Sequence, residues 1–418
     1  MSRPRLFYGW WIVLASATMN YYMGGTFFYG FTVFFTPIMN TFGWSYAATS
    51  VGMSLQRLEG GILAPLAGFF ADRVGPRKLM LVGTAVAGFG FILLSRVDSL
   101  WAYYAAFLIL SAGLGAMTHG GTTVAAAAWF RRKIGRAMGF LYVGMGLSGT
   151  LMPLMVWLIA QYGWRNTLFL VGIGIWVLGF PISLLMRRRP EDYGQVPDGE
   201  APPETGKERP PAIATAAATA PDFTVRQAMA TPAFWLFTVA MLLHSIAHSG
   251  FFVHEVPFLM SVGIPQETAA VAGMFILLTS LVGRLGFSWL ADVLDKRHVL
   301  AMAFALQAVG TFLFAYTSEV WQLIPFIIIF SSGYGGTMPL RPIFQRAYFG
   351  RQAFGTIQGI IMAFGTVGAI SGPVLVGWLR DITGTYQPAF ILLGAATTLA
   401  IVPILWARPP QEPNRRGK

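Results

Sequence analysis

The sequence has no cysteine, and only 11% of its 418 residues are charged. The first absence excludes a small disulfide-stapled domain, and the second excludes an ordinary soluble protein, whose surface needs far more charge. Nothing matches the phosphate-cradling loop G-x-x-x-x-G-K-[ST], so direct nucleotide drive is excluded as well. In place of charge the chain carries 55% hydrophobic residues and a mean hydropathy of +0.59. Apolar stretches of bilayer-spanning length recur from Tyr8 to Trp406. The 48 glycines and 25 prolines, many of them inside these stretches, suit membrane helices, where small residues let backbones approach closely.

Reading apolar runs between polar breaks predicts twelve spans, near 8–38, 45–71, 79–96, 99–128, 135–160, 166–187, 231–261, 267–291, 299–317, 321–348, 353–379 and 386–407. The net charge of +12 follows this topology rather than pointing to nucleic acid. With the first residues inside, the inside segments hold 23 of the 29 Lys and Arg, and the outside ones only Arg96, Arg165 and Arg380. Basic loops resist translocation, so both termini are expected in the cytoplasm of a bacterial-type inner (plasma) membrane, with the first span retained as a helix. Residues 188–230, rich in proline and alanine, read as a mobile cytoplasmic linker between domains 1–187 and 231–418.

The two halves match each other. A shift of 220 residues carries Ala71-Asp72 onto Ala291-Asp292, Arg77 onto Arg297, Gly135 onto Gly355, Gly139 onto Gly359 and Pro153 onto Pro373. A parallel repeat of six spans is the plan of a carrier that rocks one bundle against the other around a midplane site. The expected fold is therefore an all-α membrane protein of twelve transmembrane helices in two pseudo-symmetric six-helix bundles.

Gly68 to Lys78 reads G-F-F-A-D-R-V-G-P-R-K, which closely resembles the loop signature of the major facilitator superfamily. There Asp72 stands among Arg73, Arg77 and Lys78, where charge pairing can latch one orientation of the bundles, with Asp292 and Arg297 as the second copy. Trp129 to Gly139, W-F-R-R-K-I-G-R-A-M-G, resembles the monocarboxylate transporter signature, and Thr231-Pro232-Ala233-Phe234-Trp235 is similar to the opening of helix 7 in oxalate/formate antiporters. The resemblance implies secondary transport of a small organic anion with protons or a counter-anion as the coupled species, among membrane lipids and without a cofactor. A lactate- or pyruvate-like monocarboxylate is the substrate it implies. Oxalate/formate-type exchange and export of hydrophobic compounds are the alternatives.

Charges at bilayer depth are costly, so they mark candidate sites. Arg284 is the only charge in the run 277–286 and falls on the arginine that such carriers use to hold a carboxylate. The aspartate that proton-coupled relatives place one turn earlier is Ser280 here, and the lysine that oxalate carriers place on the eleventh helix is replaced near Gly365, which favours a monoanion over a dianion. His244, His248 and Glu255 lie within about 40° around one helix and His254 about a quarter-turn away, a candidate proton-coupling group. Interhelical hydrogen bonding explains the same face equally well, and a metal held by His244 and His248 lacks an obvious third ligand. His119, Tyr22, Tyr29 and Tyr334 are candidate substrate contacts, and Arg57, Glu59 and Arg341 candidate gating residues.

Overall fold

The computed structural model describes residues 7–199 and 222–410, and among them there is no strand. The first helix, α1, runs through Tyr8–Met23, a π-helical turn Gly24–Phe28 and Thr32–Phe42. It is followed by α2 (Tyr46–Val74), α3 (Pro76–Ser95) and α4, which joins Leu100–Gly115 to Val124–Trp129 through a second π-helical segment, Ala116–Thr123. Helix α5 begins at Ile134–Leu147, and after the tight turn Ser148–Leu151 the helical stretch Met152–Leu185 bends at Gly163, whose φ of +75° only glycine adopts readily. That bend separates the end of α5 from α6 (164–185). The second set is α7 (Pro232–Ser261), α8 (Gln266–Val293), α9 (Lys296–Ala315), α10 (Leu323–Phe349), α11 (Phe354–Thr383) and α12 (Gln387–Trp406).

Among the described residues nine helical stretches are long and apolar enough to cross a membrane, one of which, Ile134–Leu185, is long enough to cross twice. Counting that stretch twice and adding α1 and α2 gives twelve helices, as the hydropathy reading expects. Starts are marked by local chemistry: Ser45 caps α2, Ser99 caps α4 and Thr231 caps α7 with Pro232 at the first helical position.

The chain divides into two compact units, 1–220 with 351–359, and 221–350 with 360–418. The first turn of α11 counts with the first unit. Each unit has its own aromatic core. In the first, Phe27 touches Phe91 and Phe107, and Phe31 meets Phe107 edge-on at 4.8 Å. In the second, Phe251 contacts Phe314, Phe326, Phe330 and Phe390.

Helix crossings depend on small residues at repeat-related places. A Cβ added to Gly90 of α3 would lie 2.6 Å from the backbone of Leu110 on α4, and one added to Gly310 of α9 would lie 2.7 Å from the backbone of Phe330 on α10. Without glycine these helices would be pushed apart and dispersion contacts along them lost.

Of the segment expected to be a mobile linker, residues 200–221 lie outside the described set. Residues 188–199 pack on the first unit, while Phe223 donates its N–H to the Phe349 carbonyl at 3.1 Å and Val225–Met229 forms a short capped helix.

Candidate functional site

Arg284 lies where α8 and α10 cross. Gly335 of α10 faces the Ser280 carbonyl and the Arg284 amide, where an added Cβ would come within 3.0 Å of the Arg284 nitrogen, and Gly283 of α8 faces Ser332. The side chain is 0% exposed, and Ser280 beside it turns its hydroxyl to its own helix, donating to the Leu277 carbonyl at 2.6 Å. A guanidinium keeps its charge when desolvated and presents a planar fork that matches a carboxylate.

Arg341, six residues past Gly335, stands about 9 Å further along α10. Its Nη2 is 2.8 Å from Nδ1 of His244, whose Nε2 is 2.7 Å from Oε1 of Gln307 on α9. Arginine only donates, so Nδ1 is the acceptor and Nε2 carries the hydrogen that His244 donates to Gln307. His244 and Gln307 are both buried, and the imidazole stacks on Phe304 at 4.7 Å. Three helices are thereby joined by a continuous hydrogen-bonded relay.

Of the helix α7 face expected from sequence, His248 continues the column, stacked between His244 at 5.8 Å and Tyr334 at 5.4 Å. Two turns further on, Glu255 is buried and faces Gly273 of α8. Its Oε1 has no hydrogen-bond partner among the described residues. His254 turns away, as the helical wheel predicts, and its Nε2 lies 3.1 Å from the Pro373 carbonyl, to which it can only donate. The position near Gly365 that lacks a lysine is a packing contact, since the Gly365 carbonyl accepts from Ser245 at 2.6 Å.

In the first unit the tyrosines divide. Tyr22 donates its hydroxyl to the Val171 carbonyl at 2.9 Å and abuts Gly174, so its polar end is committed to α6 rather than to a ligand. Tyr29 is half-buried just after the π-helical turn of α1. The π-helical segment of α4 contains position 119, but the side chains of His119, Arg57 and Glu59 lie outside the described residues. Such π-helical segments recur at functional sites, and both fall in helices that sequence reading singled out for ligand contacts.

The loop after α2 departs from the expected charge cluster. The Asp72 carboxylate accepts the backbone N–H of Gly355 at 3.0 Å, and the N–H and hydroxyl of Thr356 at 2.8 Å each. Arg73 lies over the Phe69 ring at 4.4 Å instead, and Arg77 and Lys78 are exposed. Arg188 supports the loop by donating to the Asp72 carbonyl at 2.7 Å. The reason is local: free amides at the start of a helix are better partners for a carboxylate than solvated side chains that lose rotamer freedom on pairing. In the second copy Arg297 also leaves the signature aspartate, pairing with Asp295 at 3.1 Å, while Asp292 is half-buried. Sequence reading missed Gln307, Glu191, Asp198, Arg188 and Arg351. Only Gln307 carried a usable signal, a lone amide within an apolar helix.

Two matching sets of six apolar helices are the build of a multi-pass membrane transporter. The chain belongs to the Major Facilitator Superfamily, whose family model matches residues 10–293 and 257–418. It is 25% identical over 401 residues to "Monocarboxylate transporter 13" of Rattus norvegicus, covering 93% of this chain and 86% of that one. To the "Oxalate:formate antiporter" of Oxalobacter formigenes it is 24% identical over 398 residues, covering 93% and 90%. Among solved structures it resembles the proton:xylose symporter XylE, with a TM-score of 0.75, 12% identity and 96% of each chain covered. It also resembles the Escherichia coli fucose:proton symporter FucP, with a TM-score of 0.68, 11% identity and 95% and 98% covered. These two likenesses concern the fold alone.

Proposed function

We propose that this protein is a secondary carrier of a small organic monocarboxylate, working by alternating access in an inner membrane with both termini cytoplasmic. The observation that carries the reading is Arg284, fully buried at the glycine crossing of α8 and α10, in a chain whose relatives include carriers named for monocarboxylates. Its guanidinium is the anion anchor, with Tyr334 of the same unit as a further ligand contact. The relay from Gln307 through His244 holds Arg341 at an inner gate. Asp72, with Gly355 and Thr356, is the latch of the loop signature, repeated at Asp292.

Proton exchange falls to the α7 face. His244 has both ring nitrogens in hydrogen bonds and His254 donates to a carbonyl, whereas Glu255 has an oxygen without a partner among the described residues. Moving a monoanion inward against a negative interior costs about 2.3 kcal/mol per 100 mV, which an accompanying proton or an exiting anion removes.

The test is uptake of labelled lactate, pyruvate, acetate, formate and oxalate into proteoliposomes, with and without an inward proton gradient or a trapped counter-anion. Uptake of a monocarboxylate that rises with the proton gradient is the expected result. Uptake that needs trapped anion and ignores the gradient turns the reading to exchange, and no uptake of any carboxylate refutes it.

A further inference from the structure

Residues 187–199 lie between the two sets of helices, and beyond the bond of Arg188 to the signature loop they make contacts that neither that loop nor the anion anchor uses. The Arg187 guanidinium lies between the rings of Tyr8 and Tyr193, 3.8 and 4.2 Å from their centres, and its carbonyl accepts from Trp129 Nε1 at 3.1 Å. Glu191 Oε1 receives Arg351 Nη2 at 2.6 Å. Seven residues later the Asp198 carboxylate accepts the backbone N–H groups of Arg131, Arg132 and Lys133 at 2.8–3.2 Å. Asp198 is buried and, among the described residues, is the only non-glycine with a positive φ, +64°. A left-handed backbone is unfavourable for a residue with a Cβ, and here charge-assisted hydrogen bonds hold it.

The two grips fall on equivalent places. The same 220-residue shift that relates the helices carries Arg131 onto Arg351, so Asp198 holds the turn before α5 and Glu191 holds the turn before α11. The latter turn also leads into Gly355 and Thr356, the partners of Asp72. The grips differ in strength. Asp198 makes several hydrogen bonds out of water, whereas Glu191 and Arg351 are part-exposed, at 41% and 23%, and such pairs are weak and screened by salt.

We propose that residues 187–199 form a brace tying the two repeat-related turns together, with Asp198 as its fixed foot and the Glu191–Arg351 pair as the foot that lets go when the carrier opens toward the basic loops. Glu191 and Asp198 are then positioning residues of the transport cycle. The proposal rests on the alternating-access reading.

Because the chain has no cysteine, cysteines introduced at exposed Lys78 and His298 accept spin labels without background. Distance distributions between them are recorded in liposomes for the otherwise wild-type chain, Glu191→Gln, Asp198→Asn and the exchanged pair Glu191→Arg with Arg351→Glu. Glu191→Gln is expected to raise the population with the labels far apart about two- to five-fold, as loss of a part-exposed pair implies. Asp198→Asn shifts it further the same way, and the exchanged pair returns it to the starting distribution. Two populations unchanged by Glu191→Gln, or a shift that the exchanged pair does not reverse, overturn the brace alone, even where Asp198→Asn fails to fold. A starting protein that shows one population and moves no carboxylate overturns the alternating-access reading and the brace with it.

Discussion

The two sets of helices share their packing points and differ in their chemistry. Gly90 and Gly113 recur as Gly310 and Gly333 at the 220-residue shift, and each glycine meets the equivalent neighbour: Leu110 and Phe330 at one crossing, Ala87 and Gln307 at the other. The same shift takes Arg284 to Ala64, Gln307 to Ala87 and Arg341 to Gly121. Duplication has thus preserved what close backbone approach demands, while Arg284, Gln307 and Arg341 stand opposite residues that have no polar side chain. The loops diverge similarly. Gly75, with a φ of +91°, opens α3 without a side-chain cap, whereas Asp295 in the equivalent place caps α9 and takes Arg297 for itself.

The largest expected effect breaks the chemical asymmetry. Arg284→Gln lowers monocarboxylate uptake by about 100-fold or more, because it leaves a desolvated carboxylate without its charged partner. Ala64→Ser, at the equivalent place in the first set, leaves uptake within about two-fold. Next, His244→Ala leaves the buried Gln307 amide without its imidazole partner and destabilises the fold by about 1–3 kcal/mol, read as a lower midpoint of unfolding. Ala87→Gln buries an amide where the residue equivalent to His244 is Gly24, and the same measurement shows a loss of similar size.

The shared packing points should respond alike in the two sets. Gly113→Ala and Gly333→Ala each force a methyl group against a neighbouring backbone, and each costs about 1–3 kcal/mol. A difference between them beyond that range would show that the crossings are not equivalent after all.

The smallest effect concerns pH. Partial burial acts to raise the Glu191 carboxyl, but the hydrogen bond and charge of Arg351, its own backbone N–H and the charge of Arg189 outweigh this and hold it below its ordinary value of 4.5. A carboxyl lowered by folding contributes stability above its ordinary value and loses it as pH falls through the folded one. The brace contact should therefore be complete at neutral pH and weaken only in acid below 4.5. A change in the label distances between pH 6 and 8 that Glu191→Gln removes would contradict this.

Much of this architecture was legible in the sequence, because hydropathy, basic loops and a fixed shift are properties of the chain itself. Twelve spans and the doubled plan could be read directly. So could the isolation of Arg284, which stands out against an apolar run. Partnerships were not legible. Asp72 looks paired with Arg73 and Arg77 because they are near in sequence, yet its partners are amides some 280 residues away, and an amide hydrogen leaves no mark in the residue type. His244 and Glu255 share a helical face, but only the neighbouring helices decide that one meets an arginine and a glutamine and the other a glycine. The ordered stretch 188–199 was hidden by its proline-rich setting, where composition suggests a tether and a single aspartate in an unusual backbone conformation provides an anchor.

Binding of the substrate carboxylate by Arg284 is read by titration calorimetry of the purified full chain with a monocarboxylate. Saturable binding is expected to the wild type and to His254→Gln, and none detectable to Arg284→Gln when that variant unfolds at the same temperature as the wild type. Binding of equal strength to Arg284→Gln would contradict it.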